Sequence, residues 1–260
     1  MAATERPSAI ITGSTSGIGL GLAEEFAKAD YNLVLNGLED NGKEIAQEVG
    51  SKYGVDTFFS NANMLEPEQI KAMVKEAESR YGKVDVLINN AGVQYVSPID
   101  EFPEQRWDLI IGVNLSSAFH TAKAVWPGMK ERGFGRIINI ASAHGLRASE
   151  FKSAYVAAKH GMVGLSKVLG LEGAPCGITC NAICPGYVRT PLVEKQIKDQ
   201  AKSHGISEEE VVEKVMLKKQ AVKEFVTIEL LAQVALMLAS ETASTITGSA
   251  IPVEAGWTAQ

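Results

Sequence analysis

The stretch AIITGSTSGIGLGLAEEFAKA, residues 9–29, decides the architecture. Its apolar opening, residues 9–12, reads as a short buried strand that runs straight into Gly13-Ser14-Thr15-Ser16-Gly17-Ile18-Gly19. Leu22, Phe26 and Ala29 then recur with the spacing of one helix face. Strand, glycine turn and helix in this order form a cradle for a dinucleotide. The glycines allow a tight turn and close backbone approach, and the free N–H groups of the helix start face the pyrophosphate. The spacing is G-x-x-x-G-x-G rather than G-x-G-x-x-G, so the reading rests on the turn's place between strand and helix at the chain start.

The alternation set up there continues along the chain. Residues 32–36 (NLVLN) read as a second strand, 41–53 as a helix and 55–59 as a third strand ending at an adenine edge with Asn63 and Met64. Pro67 opens a helix to about residue 81, and 84–88 (VDVLI) is a buried strand delivering Asn89-Asn90-Ala91-Gly92. Gly92 would let backbone approach the cofactor, whereas the two asparagines serve either the ligand or the loop's own carbonyls. A long helix over 104–132 carries Asn114 in its apolar middle, where a buried amide either packs against a partner or holds a water for proton relay. Strands at 137–141, 177–184 and 250–253 and helices around Tyr155 and over 227–238 complete the alternation. No repeat, low-complexity tract or linker interrupts it, so a single domain over 1–260 is expected. The class is α/β, a doubly wound Rossmann fold with helices on both faces.

Residues 193–220 differ in character. They are charged and long, with Val193 and Ile197 on one side of a first helix and a capping-box signature at Ser207-Glu208-Glu209-Glu210. An excursion of this size at the carboxyl face of the sheet reads as a small helical lid, about residues 190–222, or else as surface decoration or a subunit contact.

Bulk properties narrow the classes. The 260 residues are 45% hydrophobic with net charge 25 − 31 = −6, which gives no electrostatic reason for nucleic acid or anionic membrane as partner. MAATERPSA lacks the apolar core of a signal peptide, and no apolar run reaches the roughly 18 residues of a membrane span. Cys176, Cys180 and Cys184 lack C-x-x-C spacing, and the four histidines are scattered, so no metal site is expected. A cytoplasmic protein with a small-molecule substrate is the expectation.

The chemistry centres on residues 137–159, IINIASAHGLRASEFKSAYVAAK: a strand, a loop opened by Ser142, and a helix bearing Tyr155 and Lys159. Tyr and Lys four apart share a helix face. A phenol ordinarily titrates near ~10, and a neighbouring ammonium lowers that by about 1–3 units, toward the range useful for a general base. Ser142 would hydrogen-bond a substrate oxygen beside it. At the ribose end, residues 31–42 hold no basic side chain to meet a 2′-phosphate, which points to NAD rather than NADP.

With Gly13-x-x-x-Gly17-x-Gly19, Asn89-Asn90-Ala91-Gly92, Asn114, Ser142, Tyr155-x-x-x-Lys159 and Pro185-Gly186 in this order, the chain resembles the short-chain dehydrogenase/reductase family over essentially its whole length. The resemblance implies hydride transfer with a nicotinamide cofactor on a seven-stranded parallel sheet, in a homotetramer. It makes Tyr155 the acid/base. Lys159 lowers the phenol's pKa and holds the nicotinamide ribose, Ser142 orients the substrate, and Asn114 anchors a relay water. Thr15, Ser16, Ile18, Leu38, Asn63, Met64, Asn90, Ala91 and Gly92 would bind NAD with the glycines, and Pro185, Gly186, Val188 and Thr190 would flank the nicotinamide. GRIINIASAHGL, KSAYVAAKHG, NAICPGYVRTPLVEKQI and the GWTAQ end are similar to the members of the family that oxidise D-3-hydroxybutyrate to acetoacetate. In those, positions matching Gln94, His144, Lys152 and Gln196 grip the carboxylate, while Tyr187 and Trp257 wall the pocket. Read without the resemblance, Lys152 is a surface charge, His144 a loop cap and Gln196 solvent-facing. The chain departs from the pattern at Asn63, where the family usually has Asp, at Tyr187, where close relatives often have Trp, and at Leu38, often Phe. A dehydrogenase for another short hydroxy acid or alcohol is the runner-up reading. A silent NADH-binding protein is the third, although it would be expected to have lost Tyr155 or Lys159.

Overall fold

In the computed structural model, which describes residues 6–259, seven parallel strands form one sheet in the order β3-β2-β1-β4-β5-β6-β7. They are β1 (Ser8–Ile11), β2 (Asn32–Asn36), β3 (Thr57–Ser60), β4 (Val86–Asn89), β5 (Gly135–Ile140), β6 (Ile178–Pro185) and β7 (Ala250–Val253). The ends of the expected domain, residues 1–5 and 260, lie outside the described residues. Because side chains alternate across a strand, each central strand feeds two cores. Ile11, Leu33, Leu35 and Ile88 point to one, and Ile10, Val34 and Leu87 to the other. That burial on both faces is why these strands read as unbroken aliphatic runs.

Helices α1 (Gly17–Lys28) and α2 (Gly42–Tyr53) cover the first face with Leu22, Phe26, Ala46 and Val49. On the second, α3 (Pro67–Tyr81) contributes Ile70, Met73 and Tyr81. The segment expected as one helix over 104–132 is three pieces: α4 (Glu104–Ile111), a π-helical turn (Gly112–Ser116) and α5 (Ser117–Arg132). The π turn holds Asn114, which is fully buried. Ala29, expected on the apolar face of α1, is the exposed residue capping its C-terminus. The 21-residue α6 (Ser153–Gly173) crosses the second face beside α5.

Beyond β6 the chain builds α7 (Pro191–His204), the short α8 (Glu208–Val211) and a π turn (Val212–Met216) before α9 (Ile228–Ala239) returns to the first face. The capping box is formed: Glu210 N–H donates to Ser207 Oγ at 3.2 Å and Ser207 N–H to Glu210 Oε2 at 3.2 Å. Ile197, Val211 and Met216 form a small core of their own, against which Tyr187 and Val193 pack. The sheet order reverses direction between β1 and β4, and the crevice outside their carboxyl ends is where such sheets take ligands.

Candidate active site

A groove of about 520 Å³ runs along the carboxyl ends of β1, β2 and β4. Among the residues expected to bind cofactor, Gly13, Thr15, Ser16, Gly17, Ile18, Gly19, Leu38, Asn63, Met64, Asn90, Ala91, Gly92 and Thr190 line it. Its floor is closed to side chains. A Cβ on Gly13, whose φ is +60°, would lie 2.8 Å from Ala91 Cα, and one on Gly19 would lie 2.1 Å from Gly13 O. Asn90 holds the turn by donating its amide to Thr12 O at 3.0 Å and Gly13 O at 2.8 Å. Ser16 precedes α1 without capping it, and the first turn of α1 has no acidic residue, so its N–H groups face the groove uncapped by side chains. These features fit a dinucleotide pyrophosphate.

At the far end of the groove stands Glu39, which the sequence reading passed over as a site residue. Its Oε2 accepts from Thr15 Oγ1 at 2.5 Å and from Leu38 N at 3.0 Å, and the hydroxyl of Thr15 holds the carboxyl below its ordinary range. The signal was present as the acidic pair Glu39-Asp40 just past β2, but the strand end itself, Asn36, turns to the Ser60 and Ala62 carbonyls.

A second cavity, about 150 Å³, adjoins the groove through Ile18 and Thr190. Gln94, Ser142, His144, Lys152, Tyr155, Tyr187, Gln196 and Trp257 all line it, with Gly186 and Val188. Pro185, Lys159 and Asn114 are not in its lining. Pro185 ends β6, Lys159 is buried behind Tyr155, and Asn114 clamps the Val93 backbone, accepting from its N–H at 2.8 Å and donating to its carbonyl at 3.0 Å. This pairing locks the loop that brings Gly92 and Gln94 to the two cavities.

Tyr155 and Lys159 share one face of α6 as their spacing required: the ammonium lies 5.6 Å from the phenol ring centroid and donates to Ile140 O at 2.7 Å. The expected downward shift of the phenol is not met in this structure. Burial pushes Tyr155 up, more than its hydrogen bond with Ser142 pulls it down. Lys159, only 3% exposed, is itself brought to about 8 by burial. Enclosure penalises each charged form, and it is the largest influence on both groups.

Ser142 accepts from His144 N–H at 3.1 Å, which opens the short turn placing both side chains at the cavity. His144 Nε2 lies 3.1 Å from Ser149 Oγ, and burial takes the imidazole down to about 3, so it stays neutral. Trp257 meets His144 edge-on at 4.9 Å and stacks parallel to Tyr187 at 6.1 Å. Lys152, at the start of α6, lies 6.0 Å from the Tyr187 ring centroid, and burial lowers its pKa. Among the described residues no carboxylate pairs with it. Lys219, absent from the sequence-derived site, sits 5.9 Å from the Trp257 ring centroid, and its charge is felt at both Lys152 and His144. Nothing in its neighbourhood in sequence signals this.

Comparison with known proteins places this geometry. The short chain dehydrogenase family model matches residues 7–201. A D-beta-hydroxybutyrate dehydrogenase of Rhizobium meliloti is 54% identical over 255 residues, spanning 97% of this chain and 99% of that protein. One of Cupriavidus necator is 47% identical over 253 residues, spanning 97% and 98%. Among solved structures, a variant of actinorhodin polyketide ketoreductase with NADPH superposes with a TM-score of 0.93 at 33% identity over the whole of both chains.

Proposed function

The chain belongs to the short-chain dehydrogenase family, and from that premise we propose that it catalyses the reversible, NAD-dependent oxidation of D-3-hydroxybutyrate to acetoacetate. One observation carries the reading: a hydroxyl-directed pair, Ser142 and Tyr155, and a half-buried lysine, Lys152, converge on a single cavity of about 150 Å³. Sites for drug-sized ligands run from about 300 Å³ upward, so this one suits a molecule of a few carbons. The named activity of the two close relatives supports the same substrate.

When bound, NAD⁺ supplies the hydride acceptor. Ser142 hydrogen-bonds the substrate hydroxyl, and Tyr155, as phenolate, takes its proton. Lys159, charged below about pH 8, stabilises that phenolate from behind. Lys152 holds the carboxylate by a charge-assisted hydrogen bond, with the amides of Gln94 and Gln196 and neutral His144 as further partners. In this reading Asn114 would serve the proton path and Lys159 would hold the nicotinamide ribose, and Pro185, Gly186, Val188 and Thr190 would lie about the nicotinamide. NAD rather than NADP is supported by Glu39, whose carboxylate would accept from a free ribose hydroxyl and would repel a 2′-phosphate.

The same reading carries one catalytic domain roofed by a lid over about residues 190–222, cytoplasmic residence and a homotetramer. The exposed Phe119, Val168 and Leu171 on α5 and α6 suit subunit contact, and among the described residues no helix is long and apolar enough to cross a membrane. Tyr187, standing where close relatives often carry Trp, favours one second reading, a different short hydroxy acid or an alcohol. NADH formation followed at 340 nm with each enantiomer of 3-hydroxybutyrate, a panel of secondary alcohols, and NADP⁺ in place of NAD⁺ tests both. A neutral alcohol turned over better than any β-hydroxy acid would displace the first reading.

A further inference from the structure

Four polar side chains lie in the aliphatic interior between the sheet and helices α5 and α6. Thr121 and Asn139 are 0% exposed, Ser166 1% and Asn89 3%. They form one chain of hydrogen bonds. Thr121 Oγ1 donates to Asn89 Oδ1 at 2.6 Å, Asn89 Nδ2 to Asn139 Oδ1 at 2.9 Å, and Asn139 Nδ2 to Ser166 Oγ at 2.8 Å. Ser166 passes its own hydrogen back to Met162 O at 2.8 Å. Each link is locally unfavourable: asparagine is poor in strands, and a mid-helix hydroxyl competes with the backbone. Valine, leucine and alanine would fill the same space without burying polar atoms, and such a local cost points to a demand from elsewhere.

The placement identifies the demand. Ser166 lies seven residues beyond Lys159 on α6, two turns on the same face. Thr121 lies seven beyond Asn114, the residue that clamps Val93. Asn139 immediately precedes Ile140, whose carbonyl holds the Lys159 ammonium, and Asn89 immediately precedes Asn90, which holds the glycine turn. Apolar packing between helix and sheet is non-directional and tolerates a slide along the helix axis. A hydrogen bond of 2.8 Å does not: a slide of one residue, about 1.5 Å, breaks it.

We infer that the chain Thr121–Asn89–Asn139–Ser166 fixes the axial position of α5 and α6 on the sheet, and so positions Tyr155, Lys159 and the Asn114 clamp for catalysis. These are positioning residues that touch neither substrate nor cofactor. The inference rests on the proposed dehydrogenase reading. Misplacement of reacting groups by about 1 Å can cost two orders of magnitude in rate. Ser166→Ala and Thr121→Val should each therefore lower kcat by about tenfold or more and move the pH–rate limb set by Tyr155 and Lys159. Thr121→Ser, which keeps the hydroxyl, should restore both kcat and the pH profile. A role in stability alone would lower Tm while kcat per folded molecule and the pH profile stayed at wild-type values, and that result overturns the inference. Assay below each variant's own Tm, with the folded fraction measured by circular dichroism, keeps an unstable variant informative. Because the two substitutions lie on different helices, one that fails to fold leaves the other to decide. The wild-type protein tests the substrate reading and the ratio of variant to wild type tests the positioning. If another alcohol proves to be the substrate, the same ratios are read with that alcohol.

Discussion

Replacing Lys152 by methionine separates binding from folding, because the two should move in opposite directions. Lys152 is half-buried, desolvation lowers its pKa, and among the described residues it has no carboxylate partner. Against a substrate carboxylate it would make a charge-assisted hydrogen bond, a contact worth about 1.5–3 kcal/mol. Losing it predicts a rise in KM for the hydroxy acid of about 10- to 150-fold, with kcat little changed because the contact is the same in ground and transition states. Folding responds with the other sign. A lysine whose pKa falls on folding binds more protons in the unfolded chain, so its charge opposes folding below the lowered pKa. That cost fades as pH climbs toward the ordinary value of 10.5. Methionine keeps the aliphatic stem and removes the cost, so Tm at pH 7 should hold or rise. Steady-state kinetics with 3-hydroxybutyrate and with a neutral secondary alcohol, alongside calorimetry, supply the readings. A KM within twofold of wild type would break the carboxylate assignment, and a KM rise shared by the neutral alcohol would mean a damaged pocket instead.

Three further outcomes follow from the same geometry. Tyr155→Phe should abolish turnover while NADH binding, measured by fluorescence titration, stays within twofold; substantial residual activity would remove Tyr155 as the base. Glu39→Gln removes the anion at the ribose end of the groove, so kcat/KM for NADP⁺ should rise and that for NAD⁺ fall; an unchanged ratio of the two would show that the carboxylate does not discriminate. His144, at about 3 in the fold against 6.5 ordinarily, binds fewer protons than it does in the unfolded chain between those values. Its full contribution to stability is therefore present above about pH 6.5 and is lost as pH falls toward 3. His144→Gln should flatten the decline of Tm between pH 6.5 and 4, and an identical decline would locate the acid sensitivity elsewhere.

Much of this was legible in the residues and some was not, for definable reasons. The glycine turn, the short apolar runs of the central strands and the four-residue spacing of Tyr155 and Lys159 are local signals, and the helices and strands that carry them lie where those signals put them. The break at residues 112–116 is set by a tertiary partner, the Val93 backbone, so helical periodicity alone runs through it. The direction of the Tyr155 shift depends on how completely the fold encloses the phenol, which spacing does not encode. Glu39 escaped because its carboxylate folds back to Thr15, 24 residues earlier, and Lys219 because it reaches the cavity from the far end of the excursion after β6. A strand-exit asparagine serves ligand and structure equally well by sequence, and in the fold the amide of Asn89 is committed to Asn139 and Thr121.

The chain as a whole carries net charge −6, yet no acidic residue is found among the described residues lining the smaller cavity. Lys152 lies in its wall, Lys159 behind it and Lys219 above Trp257, while the nearest histidine is held neutral. At the opposite end of the groove the sign reverses, where Glu39 stands ionised beside Thr15. Between the two, the uncapped N-terminus of α1 offers partial positive charge. A ligand pair that is neutral at one end, phosphorylated in the middle and carboxylated at the other meets matching charge throughout. A 2′-phosphate, or a substrate bearing an ammonium, would meet its own sign. Because a charge in a low-dielectric site is costly to leave uncompensated, this order should discriminate more through rejection of the wrong ligands than through attraction of the right ones.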